Sequence, residues 1–530
     1  MTKKRNHIEL FAGCGGLSLG LESCGFGLAM ANELSPMAGE SFAYNLLHED
    51  LENPELGTST FWLHSRYPRS EMAKRLRENP FEYPKLSEKG YSDMPGDPES
   101  LEGSLVLGDI WSLNEWLGKH PDAAEALRTG FGKGGVDLVS GGPPCQSFSM
   151  AGLREKNSSK NKLPWAFAEF VGIVRPKITL LENVTGILRP FTDGGKKYYA
   201  WFEVCKAFAE KGYVPLPLHV NARFAGVAQN RPRFILIGMR EDFYKKAEQN
   251  FNPTEKKLYE APWMFYQALR NGKPADISDL PIRDLNKGEY DWFEDSFLAP
   301  LLRKKSDFVS VKDAINDLKL ENPSRPSSFV REINKTFAGV LGKPRRKPLP
   351  NDDKVANTPR VARRFRIYQV FSKLGNADRR VAAAILRGTQ EDLPDSIWEK
   401  LKGNKFLLES GEMGTFGKKE DLVAYLKAHE TKKIVQKALL ADDPAPAALS
   451  IPDDCCHYEE IRTLSVREMA RIQSFPDSFV FRSKVTTGGH SRRFEVPQFT
   501  QVGNAVPALL GRALGLVIEK LLEKGEGDSN

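Results

Sequence analysis

The chain has 530 residues, 40% hydrophobic and 27% charged, with a formal net charge of +7 at pH 7. That is ample for a large buried core spread over two or three domains. No apolar run approaches the roughly 18 residues of a membrane span, and "MTKKRNHIELFAG" does not read as a signal peptide, so a cytoplasmic protein is expected.

In chain order, short apolar runs alternate with amphipathic ones from residue 6 to about 240. "HIELFAG" predicts a strand, "LSLGLESCG" a helix, "GLAMANE" a strand and "MAGESFAYNLL" a helix. Residues 46–104 interrupt with a polar, Pro-rich segment, taken as an insertion at the edge of the sheet. The strands "SLVLGDI" and "VDLVSGG" follow, then a helix around "PWAFAEFVGIV", the strand "KITLLENV", a helix around "YYAWFEVCKAFAEKG", and the strands "YVPLPLHVNA" and "RFILIGMR". Apolar strands separated by helices predict an α/β fold, a doubly wound Rossmann-like sheet with helices on both faces. Residues 1–245 form this unit. Alternation is lost over 246–460, a second, smaller domain; 461–500 is a connecting segment with the helix "SVREMARIQSF", and 501–530 returns to the first domain through "ALLGRALGLVIEKLLEK".

Charge is unevenly placed. Between Leu341 and Gln390 there are 13 Lys or Arg against 3 Asp, the footprint of a segment lying against phosphates. Arg363, Arg364 and Arg366 lie at its centre, and the interleaved Phe365, Tyr368 and Phe371 suit an apolar helix face as well as base stacking. The cysteines (Cys14, Cys24, Cys145, Cys205, Cys455 and Cys456) lack the paired spacing of a zinc site and the density of a disulfide framework, and no metal is expected.

In a doubly wound sheet the ligand lies at the carboxyl ends of the strands, where the unusual short sequences fall. "FAGCGG" puts Phe11, Gly13 and Gly15 in a strand-to-helix turn open to a ligand. Glu33 ends the next strand, where a carboxylate accepts from ribose hydroxyls, and Asp109, followed by Ile110, is placed to accept from an adenine amino group. In "SGGPPCQSFSMAG" Pro143 and Pro144 stiffen the loop that presents Cys145. Glu182 follows in "ENV", and Arg231 and Arg233 in "QNRPRF". A thiol, a carboxyl group and two guanidiniums at one sheet edge suit covalent catalysis on a polar heterocycle.

These stretches, with "RTLSVREMARIQSFPDSF" and "QVGNAVP", resemble the DNA (cytosine-5)-methyltransferases of bacterial and phage modification systems, in that family's order, over 6–45, 105–240 and 461–520. The resemblance implies S-adenosyl-L-methionine as methyl donor, bound by Phe11, Gly13, Gly15, Glu33, Asp109, Ile110 and Asn504. It implies that Cys145 adds to C6 of a flipped-out cytosine, Glu182 bonds N3 and the amino group, Arg233 holds O2, and Arg231 supports loop and thiolate. It makes 246–460 the target-recognition domain, with double-stranded DNA as partner, a cognate restriction endonuclease in the same system, and a monomer on DNA. Gln146, Ser149, Gln229, Arg363, Arg364 and Arg366 are the expected DNA contacts.

Three features depart from the family pattern: Ala228 in place of a proline, the insertion at 46–104, and a long connection at 480–499. Two other readings share the residues. A tRNA cytosine-5 methyltransferase would not need the roughly 200-residue recognition region; a non-catalytic DNA-binding protein of the same fold has no reason to keep Cys145, Glu182 and Arg233 together.

Overall fold

The sheet is built outward from β1 (Arg5–Leu10), whose last four residues are buried. The computed structural model describes residues 5–53, 59–65, 67–78, 91–144, 162–193, 196–343, 348–433, 435–447 and 452–527. On one side of β1 it places β2 (Phe26–Glu33), then β4 (Ser104–Leu107) and β3 (Thr60–Trp62). On the other side come β5 (Leu138–Gly141), β6 (Ile178–Val184), β9 (Pro232–Arg240), β7 (Tyr213–Asn221) and β10 (Arg283–Asp284). β9 runs antiparallel to both its neighbours, and the other pairs are parallel. β8 (Gln229–Asn230) pairs outside this sheet with β11 (Ala445–Pro446). The doubly wound α/β expectation is met, and β3 puts the segment after residue 46 at the edge of the sheet.

Strands buried on both faces need helices on both faces. α1 (Gly16–Glu22) packs against α12 (Ala508–Glu526), and elsewhere α3 (Ile110–Lys119) packs on α4 (Leu163–Val174), α4 on α5 (Ala200–Glu210) and α5 on α6 (Pro253–Arg270). The α1–α12 contact is backbone against backbone: a Cβ added at Gly20 would lie 2.3 Å from the Arg512 nitrogen. Among the described residues, no helix is long and apolar enough to cross a membrane.

Beneath α1, the buried Glu9 of β1 accepts a hydrogen bond from the Ser18 hydroxyl. Burial pushes the Glu9 carboxyl up from 4.5 to about 8, against the opposing pull of Ser18. The folded chain therefore keeps a proton that the unfolded chain releases. Glu9's contribution to stability is complete below pH 4.5 and is lost as pH rises towards about 8. Glu9→Gln, which preserves the shape of the protonated acid, is expected to flatten that segment of the profile, read as urea midpoints near each end of the window.

The expected boundary at 245/246 does not coincide with a break in the core. Buried side chains from Phe251 to Phe337 belong to the same cluster as the sheet, and β10 extends the sheet itself. A separate cluster begins only at α7 (Pro359–Phe371), continues through α8 (Asn376–Leu386) and α9 (Lys419–Ala428), and closes on Cys456. Phe365, Tyr368 and Phe371 are buried in it, so they form the apolar face of a helix and not a stacking platform.

The chain then returns to the sheet's cluster through α10 (Val466–Ile472), where Ser465 and Glu468 form a reciprocal cap. Glu468 also takes two bonds from Arg462, at 2.8 and 2.7 Å. One helical turn on, Arg471 bridges Asp317 and Asp477. The last segments, α11 (Gln498–Asn504) and α12, follow these buried pairs.

Candidate active site

β5 and β6 are parallel neighbours with Gly141 opposite Leu181, so the loop leaving β5 and the end of β6 emerge side by side. The two glycines of that loop matter through close approach. A Cβ at Gly141 would lie 2.5 Å from the Leu10 carbonyl oxygen, and one at Gly142 would lie 3.1 Å from Glu182 Oε2. Asn183 Nδ2 donates to the Pro143 carbonyl at 3.1 Å, tying the loop to β6. Cys145, Gln146 and Ser149 lie outside the described residues.

β9 brings Arg233 opposite Val184 of β6. There Arg233 Nε lies 2.7 Å from Glu182 Oε1, both side chains about nine-tenths buried. Burial lowers the pKa of the Arg233 guanidinium and Glu182 opposes that shift. The result is a fixed carboxylate–guanidinium pair against the Gly142 loop. It places an acceptor group and a donor group side by side.

Arg231 reaches the C-terminal segment. Its Nη2 donates to the carbonyls of Gly503 and Ala505, at 3.0 and 3.1 Å, which flank Asn504 at the end of α11. Its pKa lies well below the usual arginine value, because of burial and then the neighbouring Arg233. Arg231 thus joins β9 to the returning C-terminal segment. Asn221 supports it, accepting from the Arg231 backbone nitrogen at 3.0 Å and donating to Asn230 and Asn286. Sequence reasoning passed over Asn221; its signal was an Asn closing the strand "HVNA".

The other strand ends form a cleft. Phe11, Gly13 and Gly15 all have positive φ, and a Cβ at Gly13 would meet open space. Gly15 caps α1 at its N-terminus. Glu33 accepts from the backbone nitrogens of Gly13 and Ser35, each at 2.8 Å, which fixes its carboxylate at the cleft, and burial raises its pKa. Asp109 caps α3 through Oδ1, which accepts from Trp111 and Ser112 at 2.9 and 3.2 Å, so the capping reading holds, and both bonds use Oδ1. Ile110 is buried behind it. The helix α3 itself had not been anticipated from "GDI".

Gln229 corrects an expectation. It is fully buried, neither side-chain amide atom has a partner among the described residues, and it lines a small pocket of about 30 Å³ with Ala445, Met469 and Ile472. A side chain held this way touches no DNA in this conformation. The three arginines of α7 also divide. Arg366 donates to the Lys405 carbonyl and to Gln369, Arg364 Nε is buried without a partner among the described residues, and Arg363 donates from Nε to His429.

A family description, C-5 cytosine-specific DNA methylase, matches residues 5–58 and 111–520. The chain belongs to this family. Two relatives are similar over nearly the whole chain. The type II methyltransferase M.DdeI of Desulfomicrobium norvegicum is 25% identical, covering 96% of this chain and 87% of its own. M.AgeI of Thalassovita gelatinovora is 26% identical, covering 97% and 98%. Among solved structures, the Entamoeba histolytica methyltransferase EhMeth is 10% identical with a TM-score of 0.40, covering 99% of this chain and 100% of that one. The methylase therefore transfers a methyl group to cytosine C5 in DNA, and the cleft and the Glu182–Arg233 pair lie along one edge of its sheet.

Proposed function

We propose that the methylase is a sequence-specific enzyme that methylates a flipped-out cytosine through a covalent Cys145 adduct, with S-adenosyl-L-methionine as donor. The observation that carries this reading is the buried Glu182–Arg233 pair, 2.7 Å apart, against the loop that leads into Cys145. Cytosine C5 is a weak nucleophile, and addition of a thiolate at C6 makes the ring enamine-like. Glu182 holds N3 and the exocyclic amino group, favouring the protonated ring as charge moves onto it, while Arg233 holds O2. A base inside a duplex is out of reach of this loop, so the target nucleotide must leave the stack.

The cleft residues fit the donor. Glu33 is held by two backbone N–H groups and keeps lone pairs for ribose hydroxyls, and Asp109 keeps Oδ2 for an adenine amino group. Phe11, Gly13, Gly15 and Ile110 form the walls, and Arg231 keeps Asn504 at the cleft by holding the carbonyls on either side of it. S-adenosyl-L-methionine supplies the electrophilic methyl group. After transfer, solvent water takes the C5 proton, the C5–H electron pair re-forms the C5–C6 double bond, and the C6–S bond breaks to release the Cys145 thiolate.

Recognition is assigned to the region between "QNRPRF" and "RTLSVREMARIQSFP", with the α7–α8 cluster as its DNA-facing part and Gln146 and Ser149 as contacts beside the vacated base. The type II designation of the relatives supports a modification enzyme; with that reading go a cytoplasmic location, a monomer on DNA and a cognate endonuclease. Bisulfite sequencing of DNA from expressing cells tests activity, product and site together. A denaturant-stable adduct with 5-fluorocytosine DNA is the expected covalent signature, and its absence on DNA carrying the mapped site would count against the mechanism. Replacing Arg363 or Arg364 by alanine is expected to reduce the slope of log K against log salt by about one if each meets a phosphate; an unchanged slope removes that residue from the backbone contacts.

A further inference from the structure

We infer that His429 is a positioning residue that aims Arg363 at DNA while leaving its charge unneutralised, an inference that rests on the proposed DNA-facing role of α7. His429 follows α9 and is buried, with 2% of its surface exposed. Its Nδ1 lies 2.7 Å from the Tyr425 carbonyl oxygen, which can only accept, so Nδ1 carries the hydrogen. Its Nε2 lies 3.0 Å from Arg363 Nε, which can only donate, so Nε2 is the bare acceptor. The two contacts together require the neutral ring in a single tautomer. Burial, which lowers the pKa of His429, agrees with that state.

The choice of acceptor distinguishes Arg363 from its neighbours. Arg366 and Arg379 use their guanidiniums on backbone carbonyls: Arg366 on Lys405, and Arg379 on Phe371, Ser372 and Leu374. Those two close off helix ends and turns. Among the described residues Arg363 donates from Nε to His429 and makes no salt bridge to a carboxylate. A carboxylate at the position of His429 would hold the guanidinium more strongly, but would cancel the field that an incoming polyanion meets. A neutral imidazole orients the group through Nε alone. The two Nη groups then remain as an end-on fork, the geometry that meets a pair of acceptors on DNA, either phosphate oxygens or the O6/N7 edge of guanine. Tilted packing of the His429 ring against Tyr425, centroids 4.5 Å apart at 44°, and the Tyr425 hydroxyl bond to Leu407 hold the imidazole itself in place.

The test is DNA binding by the full-length protein, measured by anisotropy on a fluorescein-labelled duplex carrying the mapped site and on a scrambled duplex, across a salt series. Arg363→Ala is expected to weaken binding roughly tenfold. A phosphate contact would lower both duplexes alike and reduce the salt slope by about one; a guanine contact would lower the specific duplex and relax one base pair of the site. His429→Leu should reproduce the Arg363→Ala effect and add nothing to it in the double variant. His429→Gln, with an acceptor at the position of Nε2, should restore binding. His429→Glu separates positioning from support: it can pair with Arg363 and keep the thermal midpoint, yet it should bind DNA as poorly as His429→Leu. Full binding by His429→Glu, or additive losses in the double variant, would overturn the assignment of His429. Unchanged binding by Arg363→Ala would instead remove α7's Arg363 from the DNA interface and leave the catalytic reading untouched.

Discussion

Cys145→Ser is expected to lower methyl transfer by more than about 10³-fold while DNA and cofactor binding survive. The serine hydroxyl keeps the size of the thiol but is far less ionised near neutral pH and a poorer nucleophile towards an electron-deficient ring carbon. The loop should keep its place, because its anchors, the Asn183 bond to Pro143 and the close approach of Gly142 to Glu182, precede the substituted residue. The readouts are tritium transfer from labelled donor and a gel shift on the mapped site. Turnover within tenfold of the parent would remove Cys145 from the nucleophile role.

Glu182→Gln is expected to cost about 10²- to 10⁴-fold in turnover, the range of a positioned acid–base group. The amide keeps the shape of the side chain and can still approach the cytosine amino group. It cannot take the charge partner's role, so Arg233, buried on β9, is left with a neutral neighbour. Breaking a buried pair in this way destabilises by roughly 3–5 kcal/mol when no water reaches the site. Turnover and thermal midpoint should therefore fall together. A variant with a lowered midpoint but full turnover would confine Glu182 to a structural role, whereas lost turnover with the parent's pH profile would argue against proton transfer.

The strand ends were readable because each strand is a continuous apolar run that stops at a residue with a marked side chain or none. Glu33, Asp109 and Glu182 all lie at such stops, and the cleft follows from the winding rule. Contacts made across hundreds of residues were not readable. Nothing near Arg231 in the chain announces that its guanidinium meets Gly503 and Ala505. Gln229 sits two residues before Arg231, but sequence adjacency does not say which way a side chain points, and pairing with β11 turns it into the interior. β10 has only two residues, too short for any periodicity, so its addition to the sheet and the continuation of the core to Phe337 were invisible. The arginines of α7 counted equally as charge; only their partners separate Arg366, which braces the fold, from Arg363.

The packing of α1 on α12 also orders events during synthesis. Gly20 leaves the ribosome about 490 residues before the backbone it must touch, at Gly511 and Arg512. At roughly 5–20 residues per second that is an interval of about half a minute to a minute and a half. Throughout it, the face of α1 that meets α12, beside the Gly13–Gly15 turn, has no native cover. The nascent methylase cannot complete the α1–α12 contact until α12 has emerged, so partly made chains hold Cys145 without the finished fold around it.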